Sequence, residues 1–146
     1  MSKIIYTQSN GIIAVIHPIS GNANDAIKDV PDGVAYEIVE DSVIPTDRTF
    51  RDAWIQDSKT IKTDMAKARE VHKTKIREAR TSKLAELDIE FQKALETGAS
   101  TTDIVSKKQA LRDAPADSAI ASADTEAKLK AQWNSSILGG SPYSSL

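Results

Sequence analysis

Residues 58–98 read SKTIKTDMAKAREVHKTKIREARTSKLAELDIEFQKALETG. The run holds no proline, is rich in Ala, Lys, Arg, Glu and Leu, and ends on Gly98, where a glycine just past a helix terminus belongs. It predicts one long helix from about Ser58 to Thr97, spanning about 60 Å at 1.5 Å per residue. Its apolar positions are Ile61, Met65, Ala68, Ile76, Ala79, Leu84, Leu87, Phe91 and Leu95, with His72 between Ala68 and Ile76. The spacing is helical but the stripe is narrow. A helix of this length needs a partner for that stripe, either the helix that follows or a second copy of itself.

Upstream the pattern changes to that of strands. Ile4-Ile5-Tyr6-Thr7 and Ile12-Ile13-Ala14-Val15-Ile16 flank Asn10-Gly11. Asn-Gly between β-formers is a strong hairpin signal and predicts a type I′ turn. Asn22 to Val30 suits a short helix, Val30-Pro31-Asp32-Gly33 a turn, and Val34 to Val39 a third strand that a lone hairpin needs for stability. Pro45-Thr46-Asp47 reads as a helix start, with a short helix to Trp54 that aims Phe50 and Trp54 at one face.

Downstream, Ser100 or Thr101 can cap a second helix running to about Asp113, which Pro115 ends. Asp124-Thr125-Glu126 starts a last helix reaching about Trp133. Residues 134–146 have the composition of a flexible tail. The expected fold is therefore α+β. A small β-rich head (residues 1–57, hairpin plus third strand) precedes a helical part (58–133) made of the long helix and two shorter ones. Phe50, Trp54, Phe91 and Trp133 are the expected core anchors.

Composition restricts the chemistry. The chain has 146 residues, 40% hydrophobic and only 5% aromatic, with no cysteine. Disulfides, thiol catalysis and cysteine metal sites are excluded. The N-terminus does not read as a signal peptide and no window suits a membrane span, so a soluble protein without membrane contact is expected. Two histidines, His17 and His72, fall in different parts of the chain, which gives no ligand set for zinc. No phosphate-cradling glycine motif, Ser-x-x-Lys or Gly-x-Ser-x-Gly is present. The paired acids (Asp88 and Glu90; Glu37, Glu40 and Asp41) lie in a chain with little core to shift their pKa values. We expect no cofactor and no enzyme activity.

Charge is unevenly placed. Residues 1–58 carry four basic and nine acidic side chains, whereas residues 59–113 carry thirteen basic and nine acidic. Arg69, Lys73, Arg77 and Arg80 fall at steps of four, four and three and share one helix face. That face suits an acidic protein partner. It suits nucleic acid less well, because no aromatic is interleaved to stack on bases.

Three strings together resemble one family. They are PTDRTFRDAW (45–54), Arg77-x-x-Arg80-x-x-x-Leu84-x-x-Leu87-Asp88, and KKQALRDAP (107–115). Their order over residues 45–130 is similar to that of the tail assembly chaperones of tailed bacteriophages, in which an Arg/Leu/Asp helix precedes a Gln-x-Leu-Arg-Asp-x-Pro segment. Where that family often carries Trp and Tyr before this segment, this chain has Ser and Lys. The resemblance implies a non-catalytic factor that binds a tail protein, acting in the host cytoplasm during assembly. The alternative is a structural part of the virion tail that self-associates through the long helix as a homo-oligomer. The charge spacing marks Arg69, Lys73, Arg77 and Arg80 as candidate partner contacts, and the resemblance implies further ones at Leu84, Leu87, Leu111 and Arg112. The resemblance also implies that Arg77 and Arg80 pair with Asp113 or Asp88, while Leu84, Leu87 and Leu111 pack between helices.

Overall fold

A computed structural model describes residues 1–143. The chain is α+β and divides into two compact units, Met1–Ala68 and Arg69–Leu146.

The first unit is built on a three-stranded antiparallel sheet. Its strands are β1 (Ser2–Thr7), β2 (Ile13–Ile16) and β3 (Glu37–Glu40), in the order β2-β1-β3. Ile4 pairs with Ile16 and Ile38, and Ile5 with Val15 and Glu37. Both faces of β1 are covered, which is why its apolar residues run on rather than alternate. On one face Ile4 packs with Ala23, Ala26 and Val30 of a 3-10 segment, Ala23–Asp29, and the loop after it. On the other face Ile5, Ile13 and Val39 pack on Trp54.

The first hairpin forms, but with a different turn. Gln8 N–H donates to the Ile12 carbonyl at 2.9 Å, and Gly11 N–H to the Gln8 carbonyl at 2.9 Å. Gly11 alone takes a positive φ, +82°, and Asn10 Oδ1 accepts from Ile12 N–H at 3.0 Å. This is a three-residue loop with glycine at the left-handed position of a bulge, not a type I′ turn. Asn10 acts through its side chain instead of its backbone.

The segment that covers the Ile5 face was not expected. The predicted helix from Asp47 to Trp54 is absent. Asp47 Oδ1 instead accepts from Thr49 N–H and Oγ1–H, closing a local turn, and only Arg51–Ala53 is helical, as a single 3-10 turn. A second hairpin follows: β4 (Trp54–Asp57) and β5 (Thr60–Thr63), antiparallel, joined at Ser58-Lys59 with Ser58 at φ +53°. Phe50 and Trp54 are buried as expected, each 1% exposed.

The long helix, α1, therefore spans Met65–Thr97 and not Ser58–Thr97. Asp64 sets its start by accepting from Ala66 N–H at 3.0 Å. Its end follows the sequence. Gly98 takes φ +71°, with Ala99 N–H on the Ala94 carbonyl and Gly98 N–H on the Leu95 carbonyl. This is the Schellman arrangement, and it needs a residue free to adopt positive φ.

In the second unit α2 (Thr102–Asp113), α3 (Ser118–Ser122), α4 (Glu126–Lys130) and α5 (Ser135–Leu138) accompany α1. The buried side chains include His72, Ile76, Leu111, Ile120, Leu129 and Leu138. Phe91 and Trp133, expected as anchors, are only half-buried. Helical structure between α2 and α4 is broken into short pieces around Pro115. The tail differs from its expected loop. Ser135–Leu138 forms α5, capped by Asn134, and Tyr143 packs back on α1; residues 144–146 of that tail lie outside the described residues.

Candidate functional site

Two places in the second unit gather polar side chains. The first is a groove of about 290 Å³ lined by Lys73, Arg77, Arg80, Arg112, Pro115 and Ala116. The helical spacing on α1 brings Lys73, Arg77 and Arg80 there, and the last turn of α2 adds Arg112. Arg80 is fixed in place: its Nη1 donates to the Arg112 carbonyl at 3.0 Å and the Leu111 carbonyl at 3.4 Å. A guanidinium on the last carbonyls of a helix meets the negative end of its dipole. Lys73 lies 3.4 Å from Glu70. Arg77 and Arg112 are exposed, and neither has an acidic partner among the described residues.

The expected Arg77 or Arg80 pairing with Asp113 or Asp88 does not form. Asp88 is held by Lys108, which also lies over the Phe91 ring, 5.3 Å from its centroid. Asp113 accepts from Gln109, one helical turn back, at 2.9 Å. Both carboxylates have other partners, and Arg80 bonds backbone carbonyls instead. Arg69 also leaves the basic face. Its Nε and Nη2 both donate to the Ala123 carbonyl, at 3.2 and 2.9 Å, so it secures the end of α3.

Of the apolar candidates, Leu111 is 2% exposed and belongs to the core, whereas Leu84 and Leu87 are half-buried. Leu87 and Leu111 line a cleft of about 210 Å³ together with Ile137 of α5. Ile89, Leu95 and Val105 are exposed by 58, 56 and 48%.

The second polar place surrounds His72, which is fully buried. Nε2 lies 2.8 Å from the Gln132 carbonyl, so it carries the proton and donates; Nδ1, 2.6 Å from the Tyr143 hydroxyl, accepts. The Tyr143 ring stacks on the imidazole at 5.7 Å, and Trp133 meets both rings edge-on. Nothing local in the sequence joins residues 71 positions apart, so this trio was invisible there. Burial holds the His72 pKa below its ordinary 6.5; the Gln132 carbonyl opposes this in part and nearby Lys75 adds to it. Burial likewise pushes Tyr143 up to about 12. Charged groups near the pair include Lys75 on α1 and Lys130 on α4, whose Nζ is 5.9 Å from the Tyr143 ring centroid.

A sign follows for stability. Unfolded His72 takes up a proton near pH 6.5, and the folded site resists it to lower pH. Its contribution is fully present above pH 6.5 and is lost as pH falls from there through the depressed folded value. The thermal midpoint followed by Trp133 emission in a Trp54→Phe background should thus drop between pH 7.5 and pH 5, and His72→Gln should remove part of that drop. An equal drop in the variant would assign the acid sensitivity to other groups.

Among the described residues no group of three or more His, Asp or Glu is placed to hold a metal ion, and no helix is long and apolar enough to cross a membrane. No family model, curated protein or solved structure matches the chain.

Proposed function

We propose that the chain is a non-catalytic protein-binding factor of bacteriophage tail assembly that takes a segment of a tail protein on the second unit. The observation that carries this reading is the basic groove, where Arg77 and Arg112 stand exposed without acidic partners beside the fixed Arg80. Four cations on one groove raise the encounter rate with an acidic partner. The apolar cleft at Leu87 and Leu111 is on the same two helices, and the Leu111 carbonyl is itself a partner of Arg80. Steering and apolar contact therefore come from neighbouring parts of α1 and α2. The bacteriophage setting rests on the resemblance of the three strings, and so does the proposed location, the host cytoplasm during assembly.

The experiment is co-expression with the individual tail proteins of the source phage, followed by association kinetics for the one whose soluble yield rises. The double reversal Arg77→Glu, Arg112→Glu should slow association about tenfold at low salt and flatten its salt dependence. Lys93→Glu, outside the groove, should change neither. Unchanged kinetics in the double reversal would remove the groove from the account.

One observation favours the second reading, a structural tail component. Ile89 and Leu95 leave large apolar side chains exposed on the distal half of α1, where a second copy of the helix could cover them.

A further inference from the structure

The groove at Lys73, Arg77, Arg80 and Arg112 has no acid among its lining residues. Like charges gathered in one concavity raise its potential and favour an anion there. Arg80 is satisfied by backbone carbonyls, so the groove presents its charge chiefly through Arg77 and Arg112, both exposed.

The first unit holds the opposite surplus on one side of its sheet. Residues 4–46 contain six acids and a single Lys or Arg, Lys28. Ala23, Ala26 and Val30 turn inward onto Ile4, and Ile38 packs against the same cluster. Asp29, the last residue of the 3-10 segment, and Asp32, in the turn after it, are left exposed. Glu40, also exposed, lies two residues beyond Ile38 on β3 and therefore on the same sheet face. Among the described residues none of these three acids forms an ion pair, whereas Asp41 is held by Lys3 and Asp57 by Lys62. Every copy of the chain thus carries both halves of a complementary pair of surfaces. Its net charge of −2 sets little general repulsion against the meeting of two copies.

We propose that the basic groove of one copy receives the Asp29, Asp32 and Glu40 face of a second copy, so that the chain self-associates head to tail. The two patches differ, so the contact is heterologous, and each copy keeps one patch open for the next. Arg77 and Arg112 take the visiting carboxylates, for which the two-pronged guanidinium is better shaped than the point charge of a lysine. Exposed ion pairs are individually weak and screened by salt, so the association belongs to low ionic strength and high protein concentration. This inference rests on the reading of the groove as an acid-binding surface and gives it a second occupant, which competes there with the tail protein.

The test is sedimentation velocity of the full chain over a range of concentrations, in about 20 mM and about 300 mM salt. The wild type should form concentration-dependent oligomers at low salt and be monomeric at high salt. Arg77→Glu with Arg112→Glu makes groove and face alike acidic; Asp29→Lys with Asp32→Lys makes both basic. Each variant alone, shown to be folded by a wild-type circular dichroism spectrum, should associate about tenfold more weakly than the wild type. An equimolar mixture of the two, in which each groove again meets a face of opposite sign, should recover the association. Three results would overturn the proposal. One is a wild type that stays monomeric throughout, which leaves the groove to a foreign acidic partner or to acids of its own chain. Another is oligomers that survive both reversals, which assigns association to the exposed Ile89 and Leu95 of α1. The third is a mixture of folded variants that does not associate. Binding of a tail protein to the Asp29→Lys, Asp32→Lys chain, whose groove is intact, is read separately, so failure of self-association and failure of the tail-assembly reading are distinguishable.

Discussion

Trp54→Ala is expected to leave the N-terminal unit largely unfolded. Trp54 is 1% exposed and closes the cluster of Ile5, Ile13 and Val39 on one face of the β1 sheet. Truncating a buried aromatic to alanine costs about 3–5 kcal/mol, the lost transfer energy plus the cavity left behind. A whole domain has only about 5–15 kcal/mol, and a unit of this size belongs at the low end. Trp54 is also the first residue of β4, so the second hairpin loses the side chain that packs it on the sheet. The measurement is urea denaturation followed by far-ultraviolet circular dichroism, with Trp54→Phe as the milder control. A midpoint within error of the wild type would mean that β4 and β5 do not cover the sheet.

The second large effect is expected at Leu111→Ala. Leu111 is 2% exposed on the inner side of α2, and its carbonyl accepts from Arg80. Loss of a buried leucine side chain costs about 2–5 kcal/mol, depending on how far the site collapses. The chain has two tryptophans, one in each unit, so Trp133 emission in a Trp54→Phe background reports on the second unit alone. The Leu111→Ala unfolding midpoint read this way should fall clearly below that of the parent. If it does not, Leu111 is not part of the packed core of the second unit.

What the sequence made legible follows from the range of the interactions. The first hairpin, α1 with its glycine terminus, and α2 before Pro115 rest on local chemistry, and each forms. The second hairpin was missed because its turn, Ser58-Lys59, carries neither Gly nor Asn, and because Thr60 to Thr63 runs into a strongly helical stretch. Thr63-Asp64 was the available signal for the true helix start. Within the groove, Lys73, Arg77 and Arg80 were readable from helical spacing, whereas Arg112 joins them only through the packing of α2 on α1. Arg69 had the right spacing but was drawn to the Ala123 carbonyl, a partner 54 residues away. The placement of the tail around α5 depends on His72, Trp133 and Gly139, and no local pattern announces a tail held from that distance.

The central claim is that this chain assists assembly through protein binding and is not built into the tail. Quantitative mass spectrometry of purified particles from the source phage, beside the infected-cell lysate, tests it most directly. The account predicts the protein in the lysate and its absence from particles. Its presence in particles at a fixed multiple of a known tail protein would contradict the account and make α1 part of the tail itself.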